Sequence, residues 1–205
     1  MITLIDYGAG NIRSIEKALK FIGEDVQLTG DPEQIRKAEK LILPGVGSFG
    51  EAMENLNRRH LTEVIREAAA KGTPLMGICL GLQLLFERSE ESPGAEGLGI
   101  LPGEVLRIPD TPGLKIPHMG WNSLHLQNGG RLFRGVSEDA YVYFVHSYYL
   151  KAAEEEIVKA VTEYGVQIHA AVEKGNIFAT QFHPEKSSDV GLHMLRNFAA
   201  AGKEN

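Results

Sequence analysis

Residues 74–86 read Pro74-Leu75-Met76-Gly77-Ile78-Cys79-Leu80-Gly81-Leu82-Gln83-Leu84-Leu85-Phe86. An uncharged apolar run leads from Pro74 to Cys79, and Leu80, Leu84 and Leu85 then recur at helical spacing. A strand passing directly into a helix through one residue flanked by Gly77 and Gly81 is a strand–turn–helix elbow. A strand without polar alternation is buried on both faces, which is the habit of a parallel sheet covered by helices. Working outward, residues 2–5 form a second apolar run that ends at Asp6-Tyr7-Gly8-Ala9-Gly10, after which Ile12, Ile15, Leu19 and Ile22 trace an amphipathic helix. Residues 41–43 form a third run, stopped by Pro44-Gly45. Leu61, Val64, Ile65 and Ala68 mark another helical face, with Gly72 just past it as a C-cap.

The second half changes character. Strands are expected over 103–108, 122–126, 141–149, 156–162, 167–172 and 177–181, the last two joined by the turn Glu173-Lys174-Gly175-Asn176. A closing helix is capped by Ser187 or Ser188 and buries Val190, Met194, Leu195 and Phe198. The polar stretch 89–97 reads as a surface loop, not a linker. The expectation is an α/β fold: one domain over residues 1–205, a mostly parallel sheet flanked by helices, with extra antiparallel strands in the second half.

Composition narrows the function. A single cysteine among 205 residues excludes an internal disulfide and any multi-cysteine zinc site. With 21 Lys+Arg against 27 Asp+Glu, the net charge of -6 argues against nucleic acid or an anionic membrane as partner. The N-terminus lacks the basic region of a signal peptide, and the longest apolar stretch, interrupted by two glycines and a glutamine, is too short to span a bilayer. A cytoplasmic enzyme or binding domain is expected.

In parallel sheets ligands sit at the carboxyl ends of the strands, so the turns at 8–11, 44–50 and 77–81 matter most. Cys79 sits at the elbow, where a helix N-terminus favours a thiolate and the Leu80 amide is free to donate to an oxyanion. His183-Pro184-Glu185 follows another strand. Proline keeps His183 extended, and residues i and i+2 of an extended segment share a side, so Glu185 can orient the imidazole. Gly45, Gly47 and Gly50 satisfy G-x-G-x-x-G, a dinucleotide pattern, but no acidic residue ends the next strand. The loop reads better as backbone donors facing Cys79. His118 and His125 lack a third ligand at metal-site spacing, so no metal is expected. A cysteine nucleophile, a histidine base and its carboxylate, with amide donors, make an acyl-transfer site.

The motifs P-G-V-G-S-F-G at 44–50, G-I-C-L-G-L-Q at 77–83 and Q-F-H-P-E-K-S-S at 181–188 resemble the class I, triad-type glutamine amidotransferases across the whole chain. Ile5-Asp6-Tyr7-Gly8-Ala9-Gly10-Asn11, Pro117-His118-Met119-Gly120-Trp121-Asn122 and Tyr143-Phe144-Val145-His146-Ser147-Tyr148 are similar to one branch, a stand-alone glutaminase subunit serving histidine biosynthesis. The resemblance implies that glutamine is hydrolysed to glutamate and ammonia without a cofactor. The ammonia would pass to a (β/α)8-barrel cyclase subunit, in a heterodimer, for making imidazole glycerol phosphate and aminoimidazole carboxamide ribotide. It implies Cys79, His183 and Glu185 as the triad, Val46, Gly47 and Leu80 as oxyanion donors, and Gln83, Ser147 and Tyr148 as glutamine-binding residues. It puts Asn11, Trp121, Tyr143 and Lys186 on the face toward the cyclase. A sibling glutaminase feeding pyridoxal phosphate synthesis is the enzymatic alternative, and an interaction subunit on the same fold the non-enzymatic one. The glycine-rich loop 44–50 can hold a non-productive peptide orientation, so the free subunit is expected to be nearly inactive until its partner binds.

Overall fold

The computed structural model describes residues 1–202. Its elements are, in chain order, β1 (Ile2–Ile5), α1 (Ile12–Phe21), β2 (Val26–Thr29), α2 (Pro32–Arg36), β3 (Leu41–Leu43), α3 (Phe49–Arg58), α4 (Leu61–Ala70), β4 (Leu75–Ile78), α5 (Leu80–Leu84) and β5 (Arg88–Ser89). There follow β6 (Gly103–Arg107), β7 (His118–Ser123), β8 (His125–Leu126), β9 (Tyr141–His146), β10 (Tyr148–Ala152), β11 (Val158–Glu163), β12 (Gln167–Lys174), β13 (Ile177–Thr180) and α6 (Ser188–Ala200). Among the described residues the main sheet runs β2-β1-β3-β4-β13-β12-β11-β8. The pairs from β2 to β13 are parallel and those from β13 to β8 antiparallel. Two smaller sheets, β10-β6-β5 and β7-β9, complete the fold. This is the α/β architecture that the apolar runs predict.

The central strands β1, β3, β4 and β13 are buried at every position. One apolar layer packs α1 and α6 against the sheet through Ile15, Leu19, Met194, Leu195 and Phe198. The other packs α3, α4 and α5 through Met53, Leu56, Val64, Ile65 and Leu82. At the β12–β13 hairpin Lys174 pairs with Ile177, and Gly175 takes the positive φ of 58°. Because the parallel strands all point the same way, the turns after β1, β3, β4 and β13 gather at one edge of the sheet. Among the described residues no helix is long and apolar enough to cross a membrane.

Four elements escape the sequence patterns. β2 is an edge strand with only two apolar residues, and it is half-exposed. α2 is five residues long, although Asp31 and Pro32 are a proper start signal: the Asp31 carboxylate accepts from the Glu33 N–H at 2.9 Å. α3 buries Phe49, Ala52, Met53 and Leu56 at helical spacing, hidden because its start overlaps the glycine loop. β5 is two residues long. The strand expected over 141–149 is really two. β9 pairs with β7, β10 pairs with β6, and the chain changes sheets at Ser147, whose carbonyl accepts from the Ile108 N–H at 3.0 Å. Likewise the strand expected over 122–126 breaks at buried Leu124, between β7 and β8. The domain expected over 1–205 has its last three residues outside those described.

Candidate active site

Cys79 sits between β4 and α5 with φ 55° and ψ −110°, a conformation that costs a non-glycine residue on the order of 1–3 kcal/mol. The fold holds it there. Its N–H donates to Thr180 O at 2.8 Å, and its carbonyl accepts from the N–H groups of Leu82 and Gln83. The flanking glycines are needed for close backbone approach. A Cβ on Gly77 would stand 2.6 Å from Gly81 O, and one on Gly81 would stand 1.9 Å from Leu43 O, so the elbow is pressed on itself and on β3.

His183 follows β13, its N–H bonded to Tyr143 O at 2.9 Å. It is extended, with φ −97° and ψ 98°, as its following proline demands. Pro184–Lys186, however, is a turn of 3₁₀ helix. His183 and Glu185 therefore meet across a turn instead of along an extended segment. His183 Nδ1 lies 2.7 Å from Glu185 Oε1, and both side chains are shut off from solvent. With Nδ1–H donating to the carboxylate, Nε2 is the nitrogen left to exchange a proton, and it has no hydrogen-bond partner among the described residues. Burial pushes the imidazole pKa down, but Cys79 and Glu185 outweigh it and raise it to about 10. Asn11 belongs to this group as well: its Nδ2 donates to the same Glu185 Oε1 at 2.6 Å. The expected capping of α6 by serine is replaced by a tie to the histidine loop. Ser187 Oγ donates to His183 O at 2.7 Å and accepts from the Tyr143 N–H at 3.0 Å.

Cys79 opens into a cleft of about 300 Å³ whose walls include Val46, Gly47, Leu80, Gln83, Ser147 and Tyr148, every oxyanion and glutamine-binding candidate of the sequence. Gly47 has φ +108°, a conformation a side chain would strain. Leu80 opens α5, where an N–H has no acceptor within the helix. Residues missed in the sequence join them, Val145 and His146 among the walls of the cleft. Glu91 lines the same cleft. Gln181 donates from Nε2 toward Cys79 Sγ at 3.8 Å and accepts from Gln83 Nε2 at 3.1 Å. No spacing rule reveals either one; Glu91 lies in a polar loop and Gln181 looks like the end of a strand.

The dinucleotide pattern is answered by the start of α3. There Phe49 N–H donates to Glu91 Oε2 at 2.8 Å and Gly50 N–H to Ser92 Oγ at 3.0 Å. The amides that a phosphate would need are taken, one of them by a carboxylate. Of the residues expected on a partner face, Trp121 is half-exposed and meets Tyr143 edge-on at 6.1 Å, and Lys186 Nζ lies 5.9 Å over the Tyr143 ring. Asn11 is partly exposed and also bonds Glu185. His118 is buried, whereas His125 is exposed beside Asp139 at 3.3 Å.

A thiol at a helix start, an imidazole held by a buried carboxylate, and a cleft walled by backbone amides can carry out acyl transfer. A family model described as glutamine amidotransferase class-I matches residues 3–201. The imidazole glycerol phosphate synthase subunit HisH of Moorella thermoacetica is 52% identical over 197 residues, 96% of this chain and 93% of that protein. Its namesake in Methanothermobacter thermautotrophicus is 52% identical over 198 residues, covering 97% of each. Among solved structures, a glutamine amidotransferase superposes with a TM-score of 0.75 at 21% identity, covering 97% of this chain and 98% of the other. PurLQS from Thermotoga maritima superposes with a TM-score of 0.76 at 22% identity, covering 97% and 96%. These two likenesses establish the fold, and the sequence matches go further: the chain belongs to the class-I glutamine amidotransferases.

Proposed function

We propose that this chain is the glutaminase subunit of an imidazole glycerol phosphate synthase, acting in the cytoplasm in histidine biosynthesis. The observation that carries the proposal is the Cys79–His183–Glu185 group at a cleft in a chain half-identical, over nearly its whole length, to subunits of that name. Cys79 Sγ, its proton already held on His183 Nε2, adds to the side-chain carbonyl of glutamine. The oxyanion is met by amides of the Val46–Gly47 loop and of Leu80. His183 returns the proton to the departing nitrogen, the C–N bond breaks, and ammonia leaves a glutamyl thioester. Water, deprotonated by His183, then releases glutamate and frees the Cys79 sulfur beside the protonated imidazole. Glu185 holds the imidazole and stabilises its cation, and Asn11 holds Glu185. Gln83, Ser147 and Tyr148 bind the amino-acid end of the substrate, and Glu91 adds a carboxylate suited to its ammonium group.

Ammonia then passes to a (β/α)8-barrel cyclase, docked over Asn11, Trp121, Tyr143 and Lys186 as a heterodimer. The half-exposed tryptophan with its edge-on tyrosine is the kind of pair that anchors interfaces. The partner and its ligand activate the glutaminase by reordering the loop at 44–50. Glutamate release, measured with and without the histidine-pathway cyclase and its nucleotide ligand, tests this. A large rise that vanishes in Cys79→Ala is expected. Full turnover by the isolated chain would sink the activation step, and no turnover with both added would sink the choice of partner.

A further inference from the structure

Two buried histidines that the reaction does not use lie at the cleft, His146 in its wall and His118 behind it. His146 Nδ1 is 2.8 Å from Tyr148 O. A carbonyl only accepts, so Nδ1 carries the proton and Nε2 is a lone pair. That lone pair lies 3.0 Å from His118 Nδ1, which must therefore be the donor. His118 Nε2 in turn accepts from Asn122 Nδ2 at 3.3 Å. The orientation of the Asn122 amide is set independently: Nδ2 also donates to Glu163 O at 3.0 Å, and Oδ1 accepts from the Ser123 N–H at 2.9 Å. Only one arrangement of protons satisfies the chain, with both rings neutral and protonated on Nδ1. Packing holds it in place, since the His118 ring is stacked between Phe144, at 4.6 Å, and Tyr164, at 3.9 Å. Burial favours the same neutral state, pushing His118 down to about 4 and His146 down to about 3.

The chain ends on a carbonyl with a second bond to make. Tyr148 O also accepts from Gln83 Nε2 at 3.0 Å, and the other hydrogen of that amide goes to Gln181 Oε1 at 3.1 Å. Both Gln83 donors are thus spent inside the protein, which leaves Gln83 Oε1 as the acceptor this side chain can offer to the cleft it lines.

We propose that His118 and His146 are positioning residues of the glutamine site: their hydrogen-bonded chain fixes the Tyr148 carbonyl, which turns the Gln83 amide so that its oxygen meets an N–H group of bound glutamine. The proposal rests on the glutaminase reading and deepens it. His118 is set back from the cleft, and His146, which lines it, acts in this scheme through the Tyr148 carbonyl, so their loss weakens recognition and spares the reactivity of the thiol.

The test uses the whole chain and two alkylating agents for Cys79: a diazoketone analogue of glutamine, which must be recognised, and iodoacetamide, which need not be. In His146→Phe the ring volume stays and the donor goes, leaving the Tyr148 carbonyl short of a partner. The inhibition constant of the analogue should rise about tenfold, in line with a lost buried hydrogen bond. Its limiting rate and the iodoacetamide rate should stay within about twofold, a change too small to count as a lost interaction. His146→Asn, whose amide takes the place of Nδ1, should recover most of the affinity. An unchanged inhibition constant in His146→Phe, or an equal loss toward both reagents, would overturn the proposal. Nitrogen-15 spectra of the histidine rings give an answer independent of folding defects in the variants: both rings are expected as Nδ1–H tautomers, and Nε2–H on either would overturn the chain. A wild-type protein that takes iodoacetamide but not the analogue would instead overturn the glutaminase reading, and the assigned ligand with it.

Discussion

His183 carries the sharpest expectation at the scale of single residues. Its pKa in the folded chain is raised to about 10, above the ordinary 6.5, because Cys79 and Glu185 outweigh its burial. A group whose folded pKa is raised stabilises fully below its unfolded pKa and loses that contribution as pH rises through the folded one. Urea unfolding should therefore show stability draining away between roughly pH 6.5 and 10. The curve of Glu185→Gln, which lacks the carboxylate 2.7 Å from Nδ1, should be flatter there. Parallel curves would mean that the carboxylate does not hold the imidazolium. Cys79→Ala should lower glutamate release by at least about 10³-fold and leave the fold intact, since nucleophile removal in such triads costs that much or more. Cys79, His183 and Glu185 were all readable as residues, because an elbow and a proline-bound histidine announce themselves locally. Asn11 was readable only as a motif member. It lies 174 positions from Glu185, and nothing in the chain near it signals their bond.

The elements explain why the elbow tolerates so little change. Gly81→Ala would drive a methyl group to 1.9 Å from the Leu43 carbonyl, backbone against backbone, and should cost about 3 kcal/mol or more. Gly72→Ala, at φ +87° with open space around it, meets only conformational strain and should cost about 1–2 kcal/mol. Thermal unfolding of the two variants separates the effects; similar losses would show that β3 yields to the elbow. The buried strands β1, β3, β4 and β13 could be read from the chain because continuous apolar runs report burial on both faces. The break at Ser147 could not. Residues 141–149 keep strand-forming character throughout, and the change of partner from β7 to β6 depends on where those strands lie.

Over the whole molecule, the turns after four parallel strands bring Asn11, Val46, Cys79 and His183 to one edge, and β7 and β9 present Trp121 and Tyr143 beside them. If that face receives a cyclase, Trp121→Ala should weaken the complex by about 2 kcal/mol, roughly 30-fold, as a central aromatic anchor does. Titration calorimetry would read the loss, and alkylation of Cys79 in the free chain should be unchanged. Wild-type affinity in that variant would move the interface elsewhere.

The sequence by itself determined the alternation of strand and helix, the glycines of the elbow, and the cysteine, histidine and glutamate proposed for acyl transfer. Each of these is written in neighbouring positions, through periodicity, turn propensity and the restriction proline places on the residue before it. Only the tertiary structure decided that Glu91 closes the helix start a phosphate would need, that Asn11 holds Glu185, and that two distant histidines join Gln83 in one hydrogen-bonded chain. Those outcomes join groups separated by tens to more than a hundred positions. They depend on strand order and side-chain packing, which local spacing does not encode.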